Sequence, residues 1–109
     1  MVIPKQFNDM KDLETMLMGN LLGILICLKE DIISLQQAEN YWLPSSVVDT
    51  LEELQFTPET VDLFRRSEQL LEAARHSALN EQLLNEMIEE TKKMISANYT
   101  EYDEQSVVN

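Results

Sequence analysis

Glycine and proline are scarce in this sequence of 109 residues, which contains two glycines and three prolines. All-β proteins use both residues in their tight turns, so this scarcity argues against an all-β fold. Leu, Glu, Met, Gln and Ala are common instead, and these residues favour helices. Because 44% of the residues are hydrophobic, the chain can bury a core, which argues against general disorder. The composition therefore predicts one all-α domain.

Cysteine and histidine occur once each, as Cys27 and His76. One cysteine cannot form an internal disulfide, which is typical of a protein in a reducing compartment. Cys27 lies inside an apolar segment, where a thiol reacts poorly, and one histidine cannot complete a carboxylate-bridged metal site. The sequence also has no phosphate-binding glycine loop, zinc-ligand spacing or nucleotide-binding fingerprint. We therefore expect neither an enzyme nor a bound metal or cofactor.

No apolar segment is long enough to cross a bilayer. The longest one, residues 16–28, falls well short of the about 20 residues that a transmembrane helix needs. The first seven residues contain no apolar run of signal-peptide length. A net charge of −12 argues against nucleic acid and anionic membranes as partners. The sequence therefore predicts a cytoplasmic protein.

Positive charge is absent between Lys29 and Arg65, a segment that carries eight carboxylates. Such a stretch projects a negative field that attracts a basic partner, and nearby aromatic residues are of the types enriched at binding hot spots. Two alternatives stay open: the acids serve only solubility, and Trp42 seals the core. The predicted partner-binding residues are Glu39, Tyr41, Trp42, Asp49, Glu52, Glu53, Glu59 and Asp62.

Two long segments have apolar residues at helical spacing. The first predicts a central helix over about residues 9–29, apolar on nearly every side, and the second predicts a long C-terminal helix over about 78–98. We predict a compact all-α bundle of about five helices, with a single domain over residues 1–99. An acidic, frayed tail is expected over residues 100–109.

The middle of the chain contains three predicted helix starts. Ser34 and Gln37 have the spacing of a capping box, and Thr57 precedes a proline that suits the first position of a helix. We expect the last of these helices to break near Ser67, with its continuation through residues 65–77 as the alternative. The predicted capping residues are Ser34, then Ser45 or Ser46, and Thr57.

The two glycines, Gly19 and Gly23, lie four residues apart in the first predicted helix, and Cys27 follows at the same spacing. They form a stripe of small residues on one helix face. A glycine inside a helix costs about 1 kcal/mol relative to alanine, so we expect a second helix to pack closely along the stripe. That helix belongs either to the same chain, as an internal crossing, or to a second copy in a homodimer.

A pattern over about residues 20–65 resembles a group of known proteins. It includes the run Gly23-Ile24-Leu25-Ile26-Cys27-Leu28-Lys29-Glu30-Asp31-Ile32-Ile33-Ser34 and the helix start Thr57-Pro58-Glu59-Thr60-Val61. It resembles small bacterial cytosolic all-helical proteins of uncharacterised function, some of which look like immunity partners of secreted toxins. This resemblance implies toxin inhibition as a specific function and assigns no functional residue.

The leading function predicted from the sequence is therefore a protein-binding module that engages a basic partner. The alternative is a structural homo-oligomer with no other ligand. The first prediction depends on the acidic segment, and the second depends on the small-residue stripe.

Overall fold

The computed structural model describes residues 10–43 and 46–107, with side chains up to Asn98 except those of Tyr41 and Trp42. These residues form five helices and no strand, which confirms the predicted all-α bundle. Within the same residues, none of the helices combines the length and apolar character needed to cross a membrane. The helices are α1 (Met10–Lys29), α2 (Leu35–Gln37, continued by a π-helical turn over Ala38–Trp42), α3 (Val47–Glu53), α4 (Pro58–His76) and α5 (Glu81–Val107).

The two long predicted helices pack against each other as α1 and α5, which share the most extensive helix contact. Burying one of their leucines fully contributes about 1.5–3 kcal/mol, so this contact supplies much of the stability of the core. α4 completes the core, and α3 packs on α4. The fully buried apolar side chains are Met18, Leu21, Leu25, Leu63, Leu71, Leu84 and Met87.

α5 begins slightly later than predicted, because Asn80 caps it. The Asn80 Oδ1 atom accepts a hydrogen bond from the Leu83 N–H at 3.0 Å. The helix also continues past Asn98 to Val107. Since side chains beyond Asn98 lie outside the described part of the chain, the frayed tail over residues 100–109 stays a prediction.

α4 is continuous, so the predicted break near Ser67 is wrong. Ser67 is fully buried, and its hydroxyl donates to the Leu63 carbonyl oxygen at 2.9 Å. A serine that bonds back to the preceding turn satisfies its hydroxyl without leaving the helix. Residues 65–77 therefore continue α4 as far as His76.

Two of the three predicted helix starts are not capped by the side chain that the sequence predicted. The Ser34–Gln37 capping box is present: the Gln37 N–H donates to Ser34 Oγ at 3.1 Å and the Ser34 N–H donates to Gln37 Oε1 at 2.9 Å. Ser46 does not cap α3 through its side chain, because its backbone is already helical, and the alternative Ser45 lies outside the described residues. Thr57 precedes α4 but makes no side-chain cap within that helix.

The two glycines of the small-residue stripe face away from the other described helices. Gly19 and Gly23 are exposed, and a Cβ atom at either position would meet no heavy atom within 4 Å apart from the backbone of its own helix. The predicted internal crossing is therefore wrong for the glycines, because no helix of the described residues approaches them. α1 buries its opposite side instead and leaves Ile26, 36% exposed, beside the glycines. The homodimer stays a prediction.

α1 and α3 end in the same local structure, with a left-handed residue that is not glycine. Asp31 has φ of 57° and Gln55 has φ of 61°. After Gln55, the Phe56 N–H donates to the Leu51 carbonyl oxygen at 3.2 Å, while the Gln55 N–H donates to that of Glu52 at 3.0 Å. These two bonds define a Schellman motif, in which glycine is the preferred left-handed residue.

We expect Gln55→Gly to raise the free energy of unfolding by about 1 kcal/mol, because glycine adopts a positive φ without steric cost. Urea denaturation followed by circular dichroism measures the change. The matched control is Gln69→Gly, an exposed position inside α4, where the same substitution should lower stability by about 1 kcal/mol. Equal losses in both variants would contradict this account of the α3 end.

Candidate functional site

α1, α4 and α5 enclose a groove of about 740 Å³ beside the first turns of α4. Methionine side chains from two of the helices provide its apolar part, and charged side chains from all three surround them. The methionines are Met10, Met18 and Met94; the charged residues include Lys11, Glu59 and Arg66.

One carboxylate in this groove, that of Glu14 on α1, is almost completely buried, with 4% of the residue exposed. Its Oε1 atom accepts the Thr57 backbone N–H at 2.9 Å. Its Oε2 atom accepts the Thr57 hydroxyl at 2.9 Å and the Thr60 hydroxyl at 2.8 Å. The first N–H groups of a helix lack partners within the helix, and the helix dipole favours a negative charge there. Glu14 therefore caps α4 from a different helix.

This arrangement corrects the prediction that Thr57 caps its own helix. The Thr57 hydroxyl donates to Glu14 and also lies 3.1 Å from the Thr60 hydroxyl. Sequence reasoning missed Glu14, although a signal was present. Glu14 lies four residues before Met18 and seven before Leu21, so it is in phase with the buried stripe of α1.

Arg66 connects α4 to α5 at the other side of the groove. Its Nη1 and Nη2 atoms lie 2.7 and 2.6 Å from the two carboxylate oxygens of Glu90, and its Nε atom lies 2.8 Å from Asp62 Oδ2. The hydrogen bond from Arg66 lowers the pKa of Glu90, and the bond to Glu90 raises the pKa of Arg66. Because these side chains are about 40% exposed, solvent screening keeps the stabilisation modest.

Three of the predicted partner-binding acids are paired with arginines of α4. Glu52 pairs with Arg65, Asp62 with Arg66, and Glu39 with Arg75, whose Nε atom lies 2.7 Å from Glu39 Oε2. The hydrogen bond that Arg75 donates to Glu39 raises the pKa of Arg75. The expectation of an uncompensated acidic stretch is therefore wrong for these three. Asp62 meets Arg66 one turn later on α4 itself, and folding brings the other two acids beside α4.

Glu39 is also the least accessible of the predicted binding residues whose side chains the structure describes. Its side chain is 14% exposed, and its Oε1 atom is buried without a hydrogen-bond partner in the described structure. A buried oxygen of this kind offers little surface to another protein. Glu39 is therefore a poor candidate for direct partner contact.

Three other predicted acids remain available to a partner. Asp49, Glu53 and Glu59 are exposed, and none of them makes an ion pair within the described residues. Asp49 and Glu53 lie one helical turn apart on α3, so they share a face. Leu54, which follows them, is 50% exposed and adds an apolar side chain.

The predicted aromatic anchors are not placed by the structure. The backbone of Tyr41 and Trp42 lies in the π-helical turn, while their side chains lie outside the described residues. Whether Trp42 contributes to the core or to a surface stays open.

Cys27 and His76, the two residues considered for catalysis, lie on different helices. Cys27 is half-buried on α1, and His76 is exposed at the end of α4, where its Nε2 atom lies 3.6 Å from Glu72 Oε1. Among the described side chains, no group of three or more His, Cys, Asp or Glu residues is arranged to hold a metal ion. The expectations about catalysis and cofactors stay predictions.

We expect Glu14→Ala to lower the free energy of unfolding by about 2–4 kcal/mol, because it leaves the Thr57 N–H and the Thr60 hydroxyl without their acceptor. Glu14→Gln keeps the shape but removes the charge, so its loss should be smaller. Urea denaturation measures both. Glu53→Ala, which truncates an exposed and unpaired carboxylate, is the control and should change stability by less than about 0.5 kcal/mol. A loss for Glu14→Ala no larger than the control would contradict the capping role.

Comparison with known proteins gives a family and no function. Neither the curated proteins nor the solved structures yield a match to the chain. A family model matches residues 8–109, which is nearly the whole sequence. This agrees with the expectation of an uncharacterised protein, while bacterial origin and toxin immunity stay predictions. The chain belongs to the family described as "Protein of unknown function (DUF3969)".

Proposed function

We propose that this protein is a cytoplasmic protein-binding module, without catalytic activity, that engages a basic protein. Its binding surface consists of the exposed carboxylates of α3 and of the first turn of α4. One observation carries the proposal: Asp49, Glu53 and Glu59 are exposed and make no ion pair within the described residues. We call these three residues the acidic surface.

Unpaired carboxylates attract a basic partner more strongly than paired ones, because an arginine beside a carboxylate cancels much of its field. Glu52 and Asp62 already have such arginines, so they form the rim of the surface and contribute less. Charges of this kind raise the association rate more than the equilibrium affinity. The net charge of −12 acts in the same direction.

Affinity requires buried apolar contact, and Leu54 supplies a described candidate for it. Its half-exposed side chain directly follows Glu53, so a partner that covers it would be steered there by the acids. Burying the rest of this side chain would contribute about 1 kcal/mol. Tyr41 and Trp42 stay proposed as further anchors.

Inhibition of a secreted toxin is the specific form of this proposal. Its support is the sequence resemblance over about residues 20–65, the segment that also carries the acidic surface. A basic toxin surface covered by these carboxylates would be unable to reach its own target.

We expect Asp49→Lys combined with Glu53→Lys to slow association with a basic partner by about tenfold at low salt, with the difference shrinking at high salt. The partner is captured from the source cells with the wild-type protein and identified by mass spectrometry. Association rates are then measured by biolayer interferometry at several salt concentrations.

The matched control is Glu81→Lys combined with Glu86→Lys, which changes the net charge equally at two exposed, unpaired acids of α5. This pair should slow association far less than the α3 pair. Equal slowing by both would show that only total charge matters, and the acidic surface would then be rejected as the binding site.

A homo-oligomer is the second candidate, because α1 leaves an apolar face uncovered. Gly19, Gly23 and Ile26 lie on that face at spacings of four and three residues, and each is exposed. Two copies of α1 could approach closely there, since the glycines have no side chains.

If this face forms a dimer, Gly23→Leu should convert the dimer to a folded monomer, because the added side chain meets open space in the single chain. Gel filtration with light scattering measures the mass, and circular dichroism checks the fold. Gln69→Leu, on the exposed side of α4, is the control and should leave the dimer intact. A wild-type monomer at micromolar concentration would reject this second candidate.

A further inference from the structure

We infer that the groove between α1, α4 and α5 receives an apolar side chain from a basic segment of the partner, an inference that rests on the proposed function. The partner would be steered by the acidic surface and held by the groove. The occupant is defined by its chemistry: an apolar residue with lysine or arginine beside it, as on one face of an amphipathic helix.

The apolar part of the groove suits such a residue. Met18 is fully buried at its base, Met94 is half-buried on α5, and Met10 is 42% exposed at its edge. Methionine side chains are unbranched and polarizable, so they adapt to occupants of different shape. A volume of about 740 Å³ leaves room for more than one apolar side chain.

The groove has more carboxylates than cations, which favours a basic segment. Four carboxylates and two cationic side chains, Lys11 and Arg66, line it. Three of the carboxylates are already bonded within the chain, Glu14 to the start of α4 and the other two to Arg66. Arg66 is already bonded to Glu90 and Asp62, so it has little left for an acidic ligand. Glu59 is exposed without an ion pair in the described structure, so it can pair with a lysine or arginine beside the bound apolar residue.

The groove shares Glu59 with the acidic surface. Asp62, one turn further along α4, also lines the groove and belongs to the rim of that surface. A basic segment that pairs with Glu59 would therefore lie beside the groove. Attraction by Glu59 and retention by the groove would then act on neighbouring parts of one segment.

Contacts within the chain join the three helices that form the walls of the groove. Glu14 holds the start of α4 against α1, and the Arg66–Glu90 pair holds α4 against α5. A preformed site avoids part of the ordering cost of binding, so modest contacts can give measurable affinity.

The test fills the groove without changing charge. Ala97 is an exposed residue of α5 that lines the groove, so Ala97→Trp should block it. Ala73→Trp, at an exposed position of α4 outside the groove, is the matched control. The probe is a fluorescent synthetic helix of leucine and lysine, with leucines at positions i, i+3, i+4 and i+7, and binding is followed by anisotropy with the full chain.

We expect Ala97→Trp to weaken binding of this peptide at least tenfold and Ala73→Trp to leave it within twofold. The same peptide with glutamate in place of lysine should not bind. Met10→Ala, which truncates the exposed methionine, gives a second variant and should also weaken binding of the lysine peptide. Thermal melts confirm that each variant is folded.

Two results would overturn the inference. In the first, the Ala97→Trp and Met10→Ala variants bind the lysine peptide as well as the Ala73→Trp control does, whereas the variant with both Asp49→Lys and Glu53→Lys binds it weakly. The acidic surface would then act alone, and the proposed function would stand. In the second, the lysine peptide does not bind to the wild-type protein. Loss of binding in Ala97→Trp with no effect of the α3 pair would support the groove and reject the acidic surface.

Discussion

The buried carboxylate of Glu14 fixes how α4 packs against α1. A carboxylate loses much hydration when it is buried, and it is stable there only when hydrogen bonds replace the water. The Thr57 N–H and the hydroxyls of Thr57 and Thr60 supply those bonds, and the start of α4 supplies a favourable dipole. Because all of these donors belong to the start of α4, Glu14 sets the position of that helix against α1. The groove and the α3–α4 corner both depend on that position.

The charge pattern of the surface depends on the same placement of α4. Along the chain, the acids between Lys29 and Arg65 have no cation among them, and a reader of the sequence sees one uniform negative segment. In the folded protein, α4 carries its arginines back over part of that segment and divides it into paired and unpaired acids. Of these pairs, the sequence could have indicated only Asp62 with Arg66, which lie one helical turn apart, since the other two join residues 13 and 36 positions apart.

The sequence predicted those features that depend on neighbouring residues. The long helices followed from apolar spacing, and the Ser34–Gln37 capping box from two side chains three positions apart. The sequence-based predictions were wrong where a residue fits two local structures equally well and only tertiary contacts decide between them. Ser67 suggested a helix break, yet burial makes it bond back within α4. The interior glycines suggested a tight crossing, yet no helix in the described part of the chain lies beside them. For Glu14 the sequence shows only an acid in phase with an apolar stripe, and its partners lie more than 40 positions away.

Several features of this protein cost stability, and they differ in whether the chain offsets them. The burial of Glu14 is offset by hydrogen bonds, and the positive φ of Asp31 and Gln55 is accompanied by the paired bonds of two helix ends. The glycine face of α1 and the unpaired acids of α3 and α4 have no such offset within the described residues. Functional sites are where a protein is expected to keep residues that lower its stability and that no contact within the chain offsets. Both lie on the surface, where a second molecule can supply what the chain does not: a close-packed helix for the glycines, or a cationic segment for the carboxylates. Glu59 lines the groove between α1, α4 and α5 and the glycines do not, so the acidic side of the molecule is the stronger candidate for function.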